Sequence, residues 1–191
     1  MGSKKEKGRV FLGPFVLGAN MRLLFYTADE EYCEYLMGAD RRVPSIKGAK
    51  SGRPFVGIVF EVKGIPYFAP LTSPKEKHKT MREMPDFMKI AGGRFGAINL
   101  NNMIPVPLTR LNEICIDVKD GDDDKTADRK KLLAEELDWC NQNRERIMRR
   151  ARRLREIVVG GMASPALASR CCDFALLEKM YFEFLDRQRE Q

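Results

Sequence analysis

The sequence predicts an α+β fold: an antiparallel sheet partly covered by helices, with a long helix and a final helix in the C-terminal part. Three observations predict it. Short apolar segments separated by turn residues fill the first two thirds of the chain, and helical periodicity fills the last third, an order that keeps strands and helices apart. Residues 55–62 and 66–71 are apolar runs joined by Lys63-Gly64, a hairpin signal because glycine readily takes a positive φ. Leu133, Leu137, Cys140, Ile147, Ala151, Leu154 and Val158 then repeat at spacings of four and three, with Arg144 the one interruption.

The elements follow in order. Residues 1–20 read as an N-terminal extension, native or appended, with Met21 an alternative start; the apolar centre after Lys4-Lys5-Glu6-Lys7 is broken by Gly13, Pro14 and Gly18 and lacks a signal-peptide cleavage site. Residues 21–191 read as one domain. Residues 22–27 form a short buried strand, and Asp29 caps a helix to about Met37 with Tyr32, Tyr35 and Leu36 at helical spacing. A long loop leads to the hairpin. Residues 72–84 are polar, a loop with a helical turn, and 87–90, 97–100 and 114–118 are further short strands. One helix is expected from about Thr126 to Val159, ended by Gly160-Gly161, and Asp173 caps a last helix to about Arg187.

Composition narrows the function. The chain has 191 residues with 43% hydrophobic and 32% charged, enough to bury a core, and no apolar run approaches the roughly 20 residues of a spanning helix. A net charge of +7 and a pI near 9.2 favour an acidic partner. Five cysteines, Cys33, Cys115, Cys140, Cys171 and Cys172, include no Cys-x-x-Cys pair, so no disulfide framework or zinc knuckle is indicated, and a reducing cytoplasm fits best. Gly92-Gly93 with Arg94 lacks the context of a phosphate-binding fingerprint. Counting Gly121 as the sixth position of a calcium loop puts Ile116 and Val118 where carboxylates are needed. No metal and no cofactor is expected.

The segment Thr72-Ser73-Pro74-Lys75, with His78 three residues on, holds two hydroxyls and a lysine at the end of an apolar strand. Such a set can hold an anion, the hydroxyls donating to phosphate oxygens while the lysine offsets their charge. The same four residues also make an ordinary turn. Arg144, Arg146, Arg149, Arg150, Arg152, Arg153 and Arg155 crowd one helix, which reads either as a solvated face or as a surface for a nucleic-acid backbone.

Several separated pieces, taken in order, resemble the ToxN/AbiQ family of endoribonuclease toxins from type III toxin-antitoxin systems. They are Phe25-Tyr-Thr with Tyr32 and Tyr35-Leu36; Arg42-Val-Pro44; Arg53 before Phe55-Val-Gly-Ile-Val; Ala69-Pro-Leu-Thr-Ser-Pro-Lys75 with His78; Gly96-Ala-Ile-Asn-Leu100; and Met103-Ile-Pro-Val-Pro107. The resemblance implies a compact, twisted antiparallel sheet flanked by helices. It implies metal-independent cleavage of cellular or phage RNA by attack of a ribose 2′-hydroxyl, leaving 2′,3′-cyclic phosphate and 5′-hydroxyl ends. It also implies phage defence by abortive infection and inhibition by an antitoxin RNA whose pseudoknot repeats assemble with the toxin into a hetero-oligomer, away from any membrane.

Carried over residue by residue, the resemblance makes Thr72, Ser73 and Lys75 the active-site motif and sets Tyr32 beside it. Arg53 stands where some relatives have a lysine, so it is expected to stabilise phosphate rather than exchange protons. No tyrosine lies between Pro44 and Arg53 to match one that some relatives carry in that loop. His78 is the sole histidine, which excludes a two-histidine mechanism; it reads as the acid or as a surface residue, and Lys75 as a base if burial near Arg53 lowers its pKa. Tyr32 is expected to touch RNA and Tyr35 to enter the core. Arg42, Lys77, Arg149 and Arg153 complete the expected RNA-contact set. The alternatives are an RNA-binding module without catalysis and a protein-binding domain.

Overall fold

The computed structural model describes residues 22–48 and 52–190; the extension expected over residues 1–20 lies outside the described residues. Strand β1 (Leu24–Ala28) leads into helix α1 (Glu30–Ala39), where the Asp29 carboxylate accepts from Tyr32 N–H. The hairpin pairs β2 (Phe55–Val62) with β3 (Ile65–Thr72), and Lys63 and Gly64 both have positive φ, 51° and 78°, as a two-residue type I′ turn requires. Helix α2 (Glu76–Thr80) and strands β4 (Phe87–Lys89), β5 (Ala97–Asn99), β6 (Ile104–Pro105) and β7 (Leu111–Glu113) follow. The remainder is α3 (Asp124–Gln142), α4 (Arg144–Val159), the short α5 (Pro165–Ala168) and α6 (Phe174–Arg189).

All strand pairs are antiparallel, in the order β4-β5-β3-β2-β1-β7, with β6 also on β3. Strand β3 changes partners along its length. Tyr67 and Phe68 face β6, whereas Leu71 and Thr72 face β5, so the end of β3 is carried to the rim against a different neighbour. Strands β2 and β3 are buried residue after residue rather than in alternation, because both faces of this part of the sheet are covered. Tyr67 anchors the sheet to the C-terminal helices: its hydroxyl donates to Glu178 on α6 at 2.8 Å, and Arg155 on α4 grips the same carboxylate at 2.6 and 2.7 Å.

Two elements differ from expectation. The strand expected at 114–118 is displaced to 111–113. The ladder on the five-residue β1 ends when Ile114 donates to Phe25 O at 2.8 Å, leaving the following residues nothing to pair with. The long helix is two helices. Asn143 leaves helical geometry (φ −105°, ψ 15°), and its backbone N–H and side-chain amide both donate to Trp139 O, ending α3 at Gln142, two residues before Arg144. Leu133, Leu137, Cys140, Ile147, Ala151 and Leu154 are nevertheless all buried, so the apolar stripe runs on across the break.

Candidate active site

A groove of about 410 Å³ opens where β3 leaves the sheet. Arg53 enters it from the segment before β2, Thr72, Ser73 and Lys75 from the end of β3, and Arg129, Leu133 and Glu136 from α3. Four of the five expected catalytic residues, Arg53, Thr72, Ser73 and Lys75, thus meet in one cavity although nearly twenty residues of hairpin separate the first from the rest. The hairpin makes this possible: Leu71 N–H donates to Pro54 O at 2.8 Å, bringing the start of β2 beside the end of β3.

Thr72 is held from two sides. Asn99 on β5 donates its side-chain amide to Thr72 Oγ1 at 2.6 Å, which occupies an acceptor site on the oxygen and leaves the hydroxyl proton free to point into the groove. Beneath it, Gly96 has φ +103°, and a Cβ there would lie 2.1 Å from Thr72 O. Only glycine allows the turn before β5 to approach this closely.

The lining is cationic. Arg53 has no ion-pair partner among the described residues, and burial pulls its pKa below the usual arginine value; a guanidinium still keeps its charge at any working pH. Arg129 donates to Gly52 O at 2.8 Å, bridging α3 to the loop that carries Arg53. Lys75 is exposed at the rim, so the burial that a base role for its amine requires is absent. Glu136 is the one carboxyl in the lining, and it is only 4% exposed. Burial pushes it up to about 8, even though the Arg129 charge acts in the opposite direction.

The remaining expected residues lie elsewhere. His78 is neither surface residue nor groove acid: it is 2% exposed, packs edge-on against Phe87, and its Nδ1 has no hydrogen-bond partner. Burial first, then the charges of Lys75 and Lys77, lower its pKa and keep it neutral. Tyr32 is fully buried, its hydroxyl donating to Pro105 O at 2.9 Å and its ring edge-on to Phe184 on α6, so no ring face is open to a base. Tyr35, expected in the core, is partly buried against that core with its hydroxyl on Met180 O.

Arg42 holds Asp40 at 2.8 Å, and Asp40 also accepts from Asp173 N–H at 2.7 Å, so this arginine fastens the loop after α1 to the start of α6. Lys77 is exposed on α2 outside the groove lining. In the arginine-rich helix, Arg146 and Arg150 clamp Glu83, and Arg155 is committed to Glu178. Arg149, Arg152 and Arg153 face solvent. Arg149 and Arg153 border a second surface depression with Glu83 and Met84, apart from the groove.

Asn99, Arg129 and Glu136 were given no role from sequence. For Glu136 a signal existed, since it lies three residues after Leu133 and four before Cys140, a carboxylate on the edge of an apolar stripe. For Asn99 and Arg129 the contact partners lie 27 and 77 residues away, and local pattern is silent.

An antiparallel sheet clasped by C-terminal helices, with hydroxyls and cations gathered at the end of a central strand, defines an α+β protein with a cationic groove at the rim of its sheet. The family profile described as toxin ToxN of type III toxin-antitoxin systems matches residues 24–182, and the chain belongs to that family. It is 31% identical over 169 residues to the endoribonuclease ToxN of Bacillus thuringiensis subsp. kurstaki, covering 86% of each chain. It is 32% identical over 168 residues to the endoribonuclease ToxN of Pectobacterium atrosepticum, covering 84% of this chain and 92% of that one. A solved type III toxin-antitoxin structure, of a toxin selectively inhibited by a non-coding RNA pseudoknot, superposes with a TM-score of 0.69 at 29% identity, covering 86% of this chain and 98% of that one.

Proposed function

We propose that this chain is the endoribonuclease toxin of a type III toxin-antitoxin system, cleaving RNA in the groove between β3 and α3 and held inactive by a pseudoknot-forming antitoxin RNA. The observation that carries the reading is the convergence of Thr72, Ser73, Lys75 and Arg53 on one cavity, with Asn99 fixing the Thr72 hydroxyl. In the proposed reaction a ribose 2′-hydroxyl attacks the adjacent phosphorus and leaves a 2′,3′-cyclic phosphate and a 5′-hydroxyl. Arg53, Lys75 and Arg129 stabilise the negative charge that builds on the phosphorane oxygens. Thr72 and Ser73 donate hydrogen bonds to the same oxygens, a kind of stabilisation worth about 3–4 kcal/mol per well-placed donor.

The donor set favours a metal-independent reaction: the lining offers three cations and a single carboxyl, which suits a phosphodiester better than a divalent ion. The same cationic groove would take the antitoxin backbone, and repeated antitoxin units would then link several toxins into one toxin-RNA assembly. No helix among the described residues is long and apolar enough to cross a membrane, in keeping with action on cytoplasmic RNA. The test is cleavage of a mixed-sequence RNA in EDTA by the wild type and Lys75→Ala, with the ends mapped. Cyclic phosphate ends from the wild type and none from the variant are expected. Equal cutting by both would remove Lys75 from the mechanism, and RNA bound but left intact by the wild type would make the protein a binding module.

A further inference from the structure

We propose that the Glu136 carboxyl donates the proton to the leaving 5′-oxygen, an assignment that rests on the reading of the groove as an RNA-cleaving site. Departure of an alkoxide from phosphorus is eased by a proton at that oxygen, which a guanidinium that keeps its own does not provide. His78 is buried outside the groove lining. The two arginines of the lining hold their protons throughout the working range. Lys75 is exposed at the rim, where it is assigned to the charge on the phosphorane, and Glu136 is the acid of the interior: it lines from α3 the groove that Thr72, Ser73 and Lys75 line from the end of β3.

The surroundings keep the carboxyl in its acid form. Leu71, Leu132 and Leu133 line the groove around it and water reaches little of it, which disfavours the carboxylate. The charged and titratable groups that share its surroundings are Arg129 two turns earlier on α3, Arg53 from the segment before β2, Lys75 after β3, and the buried Cys140 thiol one turn on. The Arg129 charge alone would pull the carboxyl down; burial prevails and leaves it at about 8. An arriving phosphodiester brings negative charge into the groove and favours the protonated form further.

The step balances as a transesterification. The 2′-oxygen forms its bond to phosphorus while the bond from phosphorus to the 5′-oxygen breaks, and the departing electron pair takes the Glu136 proton. The proton of the 2′-hydroxyl passes to solvent, and the carboxylate takes one back from solvent before the next turnover. Nothing is oxidised or reduced, and no water is consumed.

The experiment uses a short oligonucleotide spanning a cut site mapped with the wild type, made with either oxygen or sulfur as the bridging 5′-atom. A thiolate leaves without a proton. Glu136→Gln is expected to slow cleavage of the oxygen substrate about 10²- to 10⁴-fold and to cleave the sulfur substrate within a few-fold of the wild type. The ratio of the wild-type kcat/KM on the oxygen substrate to that on the sulfur substrate should fall as pH rises through about 8, where the free protein loses the acid form, because activation of the 2′-hydroxyl is common to both substrates and cancels in the ratio. Wild-type cutting of the oxygen substrate by Glu136→Gln, or equal losses on both substrates, would overturn the assignment. If Lys75→Ala and Glu136→Gln both cut normally, the groove itself is not the site and the proposal falls with it. Loss by Lys75→Ala with retention by Glu136→Gln overturns the role of Glu136 alone.

Discussion

Glu136→Gln should remove a large, single-group share of the pH dependence of this protein's stability in the neutral range. The substitution keeps shape and volume but removes the titrating proton. In the unfolded chain the carboxyl titrates near 4.5, and in the folded protein burial pushes it up to about 8. Between those values the folded state holds a proton that the unfolded state has released, so raising the pH favours unfolding. The stability associated with this group is therefore fully present below pH 4.5, declines through neutrality, and stops declining above about 8. At up to 1.36 kcal/mol per pH unit, with the slope tapering near each pKa, the wild type should lose about 3.5 kcal/mol relative to the variant between pH 5 and pH 8. Urea unfolding of both proteins at half-unit steps from pH 5 to 9 reads this directly, because every other group, including the buried His78 with its opposite dependence, cancels in the difference. Parallel stability curves would refute the reasoning, since they would mean that Glu136 is ionised in the folded protein at neutral pH.

Gly96→Ala should cost at least about 2 kcal/mol and abolish cleavage, because the new Cβ needs the space of Thr72 O at a φ that alanine avoids; denaturant unfolding with a cleavage assay checks it. Tyr32→Phe should cost about 1–2 kcal/mol by leaving Pro105 O without its buried donor, and should leave RNA affinity unchanged in a binding titration. Replacing Arg149 and Arg153 together by Ala should lower the slope of log affinity against log salt by up to about 2 if α4 touches the antitoxin backbone. An unchanged slope would take this helix out of the RNA surface.

Much of the candidate site was legible before folding. Thr72, Ser73 and Lys75 are local to one strand end, and an apolar run that stops abruptly at short polar residues marks the rim of a sheet wherever that sheet lies. Arg53 was legible through the resemblance to a family, because no spacing rule connects it to Lys75. Tyr32 was set beside the site by the resemblance, and His78 was open between an acid and a surface residue, yet both are core residues. Nothing in a sequence distinguishes a ring that packs under Phe87 or Phe184 from one that meets a base.

Local signals settled what depends on neighbours a few residues apart: the Lys63-Gly64 hairpin, the Asp29 and Asp173 caps, the apolar stripe of the C-terminal helices and a surplus of positive charge. Backbone dihedrals and helical periodicity are short-range, so the order of residues suffices for them. Tertiary structure decided what depends on distance across the chain. It broke the long helix at Asn143, committed Arg42, Arg146, Arg150 and Arg155 to carboxylates, and set Asn99 against Thr72. It also turned Glu136 from a flank of a helical stripe into a desolvated acid facing a cationic groove, because burial and charge act through space and only the folded chain fixes those distances.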